Sequence, residues 1–203
     1  MNSKQCNGKL IVFEGIDNVG KSMICSAVNT RLLEHGFQCA VYSFPGQTEG
    51  TIGKVVYDIH HDCGVIKSAS IDALSLQTLH LAAHIDTLNQ KIVPDVFNGK
   101  IVLLDRSWWS TIAYGSANGL NEDILRELIQ PELRIVKQLT TVRYIYITRD
   151  NVQNDYSASK TNAVLKAYKK LCDNCIDGCL EIIGNDKDIE SAISAAFMAI
   201  IKE

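Results

Sequence analysis

Long apolar stretches are missing from this chain: no run approaches the ~20 residues that a helix needs to cross a bilayer. A conventional helical membrane span is therefore excluded. Positive charge is not in excess either. Lys and Arg number 20 against 23 Asp and Glu, a formal net charge of −3, so no global basic field points to nucleic acid or an anionic membrane as partner. The opening MNSKQCNGK is polar, and the apolar run behind it is too short and wrongly flanked for a signal peptide. Internal repeats, low-complexity linkers and paired C-x-x-C ligand sets are also lacking. The cysteine count, 7, is odd, and free thiols in a reducing cytoplasm are the simplest expectation. Cys172, Cys175 and Cys179 stand at i, i+3, i+7 and share a face if their segment is helical. Two readings stay open for them: thiolates for zinc, with His60, His61 or Cys63 as a distant fourth ligand, and small core hydrophobes.

What is present suits one globular α/β domain over residues 1–203, 46% hydrophobic and 21% charged. Apolar runs at 9–13, 39–44, 101–104, 142–148 and 180–183 alternate with helical patterns, which predicts a doubly wound parallel sheet. Helices are expected at about 21–34, 51–59, 71–93, 108–117, 161–172 and 189–201, with Asn121 capping another. The 71–93 stretch is apolar on more than one face and is followed by Pro94. Residues 150–160 are polar without an apolar period and read as a mobile loop, a lid spanning about 149–160. In such sheets ligands sit at the carboxyl ends of the strands.

Residues 10–22 read LIVFEGIDNVGKS. Gly15 to Ser22 fit G-x-x-x-x-G-K-[ST] between a strand and an amphipathic helix, the context a phosphate-binding P-loop requires. Gly15 and Gly20 permit close backbone approach. The N–H groups around Asn18, Val19, Gly20 and Met23, with the helix N-terminus, then face phosphate oxygens. Lys21 supplies charge for the β- and γ-phosphates, and the Ser22 hydroxyl can ligate Mg²⁺. Asp105, at the end of a neighbouring strand, can join Ser22 at the metal, and Arg106 can fork onto a second phosphate. A structural ion pair at a strand end is the other reading of Asp105-Arg106.

Four segments stand in order: FEGIDNVGKS at 13–22, FPGQTEGTIGK at 44–54, DRSWWSTIAYG at 105–115 and GND at 184–186. This order and spacing resemble the thymidylate kinases, within the nucleoside monophosphate kinases. The resemblance covers almost the whole chain. It implies a three-layer α/β/α P-loop NTPase fold with a five-stranded parallel sheet, ATP as donor, Mg²⁺ as cofactor, dTMP as first-choice acceptor and a homodimer. Asp17 would meet the acceptor's 3′-hydroxyl. Phe44, Pro45 and Ser110 would line the acceptor site, Tyr114 would face the sugar, and the loop at Asn185 would hold the donor adenine. Read from the residues alone, Tyr114 serves equally as a core aromatic and Asp186 as a helix cap. Trp108 or Trp109 is expected to pack or to meet a second subunit.

Departures from the family pattern cluster on the acceptor side. Gln47 stands near the place of an Arg, and a neutral amide does not replace a guanidinium on a dianion. His80 and His84 align with the aromatic and the Arg that hold thymine, on one helix face at i, i+4. Partly buried histidines without a ligand are the alternative. Ser107 is similar to the deoxynucleoside kinases at that place. The lid lacks an internal Arg, leaving Arg149 and Lys160 as the cations able to act on the transferring phosphoryl, Arg149 being the first choice. A kinase for a nucleoside or another dNMP, and a nucleotide-binding protein that has lost catalysis, are the competing readings.

Overall fold

In the computed structural model, residues 8–202 are described apart from 62, 64, 65, 151, 154, 155, 176–179 and 187. Strand and helix alternate from β1 (Lys9–Glu14) and α1 (Lys21–Glu34) through β2 (Cys39–Ser43), α2 (Ile52–His60) and α3 (Ala73–Thr87). They continue through α4 (Val93–Phe97), β3 (Ile101–Asp105), α5 (Trp108–Ala117), α6 (Glu122–Leu128), α7 (Gln130–Val136) and β4 (Val142–Thr148). The described chain ends with α8 (Ala158–Asp173), β5 (Leu180–Gly184) and α9 (Ile189–Ile201). The strands form one sheet, ordered β2-β3-β1-β4-β5, and every pair is parallel. The expected three-layer architecture is present.

The strand periodicity of two explains why wholly apolar runs suit it. In β1, Ile11 and Phe13 join a cluster with Ile24, Val28, Tyr168 and Phe197 on one face of the sheet. Leu10 and Val12 join Phe44, Leu88 and Ile92 on the other. A strand covered by helices on both sides has no polar face. β3 is buried at all of its positions.

The helical stretch expected at 71–93 is organised differently. It begins at Ala73, where the Asp72 carboxylate accepts from the backbone N–H groups of Leu74 and Ser75. It does not stop before Pro94. A π-helical segment, Leu88–Ile92, carries the chain into α4 with Pro94 in its first turn. Proline has no N–H and its ring crowds the preceding turn, and a widened turn accommodates both. The lid is also shorter than expected, because the Ser157 hydroxyl accepts from the Lys160 N–H and starts α8 at Ala158. α7 escaped the sequence pattern. It follows α6 directly, with Pro131 in its first turn, a position where proline is compatible with a helix.

β1 and β3 lie side by side, yet the chain leaving β1 crosses to β2 and the chain leaving β3 crosses to β4. Their carboxyl ends therefore flank the crevice where the winding direction switches, the usual ligand site of such sheets.

Candidate active site at the switch point

The P-loop occupies the crevice at the end of β1. Gly15 and Gly20 have φ of 145° and 95°. A Cβ at Gly15 would lie 2.4 Å from the Ile147 carbonyl oxygen, and one at Gly20 would lie 2.6 Å from Asn185 Nδ2. Gly15 is thus required by contact as well as by backbone angle, and Gly20 by its backbone angle. Asn18 adopts φ 66°, which Asn tolerates better than most residues. Val19 is buried. Met23 exposes its side chain, so what it brings to the cradle is a helix N-terminal N–H. Asn185 donates from Nδ2 to the Val19 carbonyl at 2.8 Å, while its own N–H bonds the Thr148 carbonyl. The GND loop therefore braces the P-loop from behind.

Lys21 is buried and donates from Nζ to the Ile16 carbonyl at 2.8 Å. Burial, followed by the nearby Arg106 charge, lowers its ammonium from 10.5 to about 8. A bound anion in the cradle would reverse that penalty. The Ser22 hydroxyl donates to Asp105 Oδ2. Asp105 Oδ1 is buried with no hydrogen-bond partner among the described residues, and a buried acceptor left open beside a hydroxyl marks a place for a ligand. These hard oxygen donors suit Mg²⁺.

Arg106 follows Asp105 with φ 76°, its N–H held by the Phe13 carbonyl at 2.9 Å. Its guanidinium pairs with Asp17 Oδ1 and donates to Ser110 Oγ at 3.0 Å. It also lies over the Tyr114 ring, 5.3 Å from the centroid. Asp17 Oδ2 accepts from Tyr114 at 2.8 Å and from Tyr156 at 2.9 Å. Burial works against the Asp17 carboxylate, but the Arg106 charge and the Tyr114 hydroxyl hold it below its ordinary range. The sequence reading missed Tyr156, which reaches Asp17 from the segment before α8.

Glu14 was missed as well. It is fully buried and accepts from the Ser107 N–H at 2.7 Å, Ser107 Oγ at 2.8 Å, Ser110 Oγ at 2.9 Å and Tyr168 OH at 3.0 Å. Burial raises its carboxyl and the Arg106 charge opposes the rise. A signal was available: Glu14 is a charged residue directly after the apolar run of residues 10–13, at the end of a buried strand. Ser107 also caps α5, its hydroxyl accepting from the Trp109 N–H.

Phe44 is buried, with its N–H on the Asp105 carbonyl at 2.9 Å, and the Phe44–Pro45 peptide is cis. The His84 ring stacks on Phe44 at 4.0 Å between centroids. His84 Nδ1 lies 2.8 Å from Glu132 Oε2, both residues being buried, and Glu132 Oε1 accepts from the Trp108 N–H at 3.0 Å. His80 stands 6.3 Å from His84 and 5.3 Å from His60, ring to ring. Burial pushes His80 down to about 3, so it is a neutral ring. Glu132 gave no signal in the sequence, because its partner is 48 residues away. Gln47 is exposed and Pro45 half-buried.

Arg149 is exposed at the end of β4. Lys160 Nζ sits 4.7 Å above the Tyr156 ring. Asn18 Nδ2 ties the P-loop to the Gln153 carbonyl at 2.9 Å. Trp109 is buried and stacked on Tyr144, whose hydroxyl accepts from Trp108 Nε1, so both tryptophans pack within the chain. Cys172 is a free thiol, Cys172 and Cys175 both pack against the core, and Cys179 lies outside the described residues. Among the described residues no cluster of three or more His, Cys, Asp or Glu could hold a metal ion. No helix among them is long and apolar enough to cross a membrane.

A strand–loop–helix phosphate cradle at the switch point of a parallel sheet defines a P-loop NTPase fold. Residues 13–151 match the family model of thymidylate kinase, and the chain belongs to the thymidylate kinase family. It is 32% identical over 136 residues to a thymidylate kinase of Thermoanaerobacter sp. (strain X514), covering 66% of this chain and 60% of that protein. The match thus spans less than two thirds of that relative's length. A thymidylate kinase of Desulfotalea psychrophila matches over 194 residues at 28% identity, covering 90% of this chain and 92% of that protein. Among solved structures, thymidylate kinase from Ehrlichia chaffeensis superposes with a TM-score of 0.72 at 19% identity, over 96% of this chain and 98% of that one. The enzyme from Candida albicans gives 0.67 at 19% identity, over 96% and 91%. These two share the fold.

Proposed function

We propose that this chain transfers the γ-phosphoryl group of ATP to the 5′-phosphate of dTMP, giving dTDP and ADP with Mg²⁺ as cofactor. One observation carries the reading. Consecutive residues, Asp105 and Arg106, point into two charge clusters on one crevice: the first joins the donor cradle through Ser22, the second joins Asp17 and Ser110. Phosphoryl transfer needs that juxtaposition, because positioning and charge neutralisation supply most of its catalysis.

In this mechanism Lys21 and the loop N–H groups hold the donor phosphates. Ser22 and Asp105 Oδ1 would hold Mg²⁺, which supplies charge neutralisation at those phosphates when bound. Arg106 turns from Asp17 onto the acceptor phosphate, and Asp17 with Tyr114 borders the sugar. For charge on the transferring group we assign Lys160 in place of Arg149. Lys160 lies over Tyr156, which bonds Asp17, whereas Arg149 is exposed. Ser107 lends no support to a nucleoside kinase, since its N–H and hydroxyl are both taken by Glu14 and it caps α5.

A homodimer is proposed as well. Ile52 and Val55 expose 43% and 57% of their surface on α2, next to α3, and would be covered by a second copy; sedimentation at micromolar concentration tests it. A cytoplasmic location is proposed on the free thiols of Cys25, Cys39, Cys63 and Cys172.

The deciding experiment is a coupled ADP-release assay with MgATP against dTMP, dUMP, the other dNMPs and thymidine. Turnover of dTMP is the expected result. Turnover of thymidine with dTMP inert would move the chain to the nucleoside kinases, and silence with every acceptor would overturn the reading.

A further inference from the structure

Gln77, His80 and His84 recur at i, i+3, i+7 on α3, so they share one face of that helix. Gln77 and His84 are buried, and His80 is half-buried. A buried face carrying three polar side chains is costly unless each finds a partner. His84 finds one partner at Nδ1, the Glu132 carboxylate. The opposite ring nitrogen, Nε2, has no hydrogen bond among the described residues and is not one of the atoms sealed from solvent without a partner. This face borders the same crevice as the catalytic charges: His84 stacks on Phe44, whose N–H bonds the Asp105 carbonyl.

We infer that Glu132 fixes the single proton of His84 on Nδ1, leaving the Nε2 lone pair to read the imide N–H of an oxo-pyrimidine base such as thymine or uracil. The inference rests on the kinase reading above and names the group that sets its base preference. A carboxylate is acceptor-only and holds a histidine in the tautomer that donates to it. Glu132 is itself fixed at its other oxygen by the Trp108 N–H, at the start of α5. It therefore acts through His84 as a positioning residue and does not touch the base. Thymine and uracil carry a donor at N3, where cytosine carries an acceptor. An acceptor at Nε2 pairs with the former and faces the latter lone pair to lone pair. The flanking Gln77 amide and His80 ring offer donors for the carbonyls beside N3.

Glu132→Gln tests this with almost no change of shape. Its amide oxygen can keep the Trp108 N–H, while its NH₂ donates to His84 Nδ1 and drives the ring proton to Nε2. Calorimetric binding of dTMP and dCMP to both proteins is the first readout. The expected result is a fall of about tenfold or more in the dTMP-to-dCMP affinity ratio, with ATP binding unchanged. An equal loss for both nucleotides would leave Glu132 a structural residue and overturn the inference. Nitrogen-15 NMR of the histidine rings is the second readout and needs only the unmodified sequence. It should find Nδ1 protonated and Nε2 bare in His84. A proton on Nε2, alone or in addition, would overturn the inference whether or not the variant folds. Failure of the kinase reading is distinguished by the assay: it shows as no turnover with any acceptor, while these two readouts still report on the tautomer and the base.

Discussion

The two halves of the crevice are assembled from different materials. On the donor side, consecutive residues 15–22 shape a backbone cradle, and long-range supports such as Asn185, Asp105 and Gln153 each reach it by a single hydrogen bond. On the acceptor side the backbone contributes little. Side chains converge from β1, α3, α5, α7 and the approach to α8, and they hold one another in buried networks centred on Glu14, Asp17 and Glu132. A backbone site tolerates little change because a Cβ added at Gly15 or Gly20 would lie within 3 Å of a neighbouring atom and both glycines have positive φ. A side-chain site can be rebuilt, provided each buried polar group keeps a partner. That is where this chain departs from its family's pattern: His80, His84 and Gln47 are all on the acceptor side.

The sharpest way to break the comparison is to remove the cradle's charge. Lys21→Ala should lower kcat by about a thousandfold, the scale seen when a cation on the transferring phosphates is lost. Steady-state kinetics with dTMP would measure it. A loss below tenfold would mean that the backbone N–H groups alone carry the donor, which would make the contrast between the halves more extreme than proposed.

A second pair of variants asks which half supplies the lid cation. Lys160→Ala should cost about a hundredfold in kcat, and Arg149→Ala less than tenfold. Lys160 is tethered over the Tyr156 ring, which bonds Asp17, while Arg149 is exposed just after β4. The reverse order of losses would return the role to Arg149 and make the lid part of the donor half.

The same contrast decides what was legible in the sequence. The cradle was readable because its chemistry is local: strand, glycines, lysine and helix are contiguous, and residues 108–117, 142–148 and 189–201 likewise carried periodicities that matched the observed elements. Asp105-Arg106 was readable because it closes a buried strand. Glu132, Tyr156 and the four-donor shell of Glu14 were not, because each is defined by contacts between residues far apart in the chain. The sequence marks His84 as a candidate, yet its stacking on Phe44 and its carboxylate partner are set by the fold. The continuation of the long helix past Pro94 was hidden for a different reason. A proline reads as a stop, and only the π-helical turn before it shows how the chain absorbs it.

A pH titration sharpens the comparison further. In the free protein burial and the Arg106 charge set Lys21 at about 8, below its ordinary 10.5. Donor phosphates in the cradle favour the ammonium and raise that value. Between the two, the complex holds a proton that the free protein lacks. Nucleotide binding should therefore take up a proton above pH 8, and affinity should weaken toward a limit of about tenfold per pH unit. Below that pH this group should add no slope. Calorimetry in buffers of different ionisation enthalpy reads the proton directly. Binding without proton uptake between pH 8 and 9.5 would show that Lys21 stays charged in the empty cradle.

The smallest effect tests how complete the acceptor side already is. Gln47 is exposed on the segment after Phe44-Pro45, where the family pattern places an arginine. A guanidinium there would add a second cation for the acceptor phosphate, and a solvent-exposed ion pair of this kind contributes roughly 0.5–1 kcal/mol. Gln47→Arg should therefore lower KM for dTMP by about two- to fivefold, leave kcat and the KM for ATP unchanged, and lose most of its advantage in high salt. An unchanged KM would mean that Arg106, released from Asp17 when the nucleotide enters, already satisfies the phosphate. Then the chain's missing arginine is compensated within the Asp17–Arg106–Ser110 cluster, and the acceptor half has been rebuilt around one guanidinium where the family pattern supplies two.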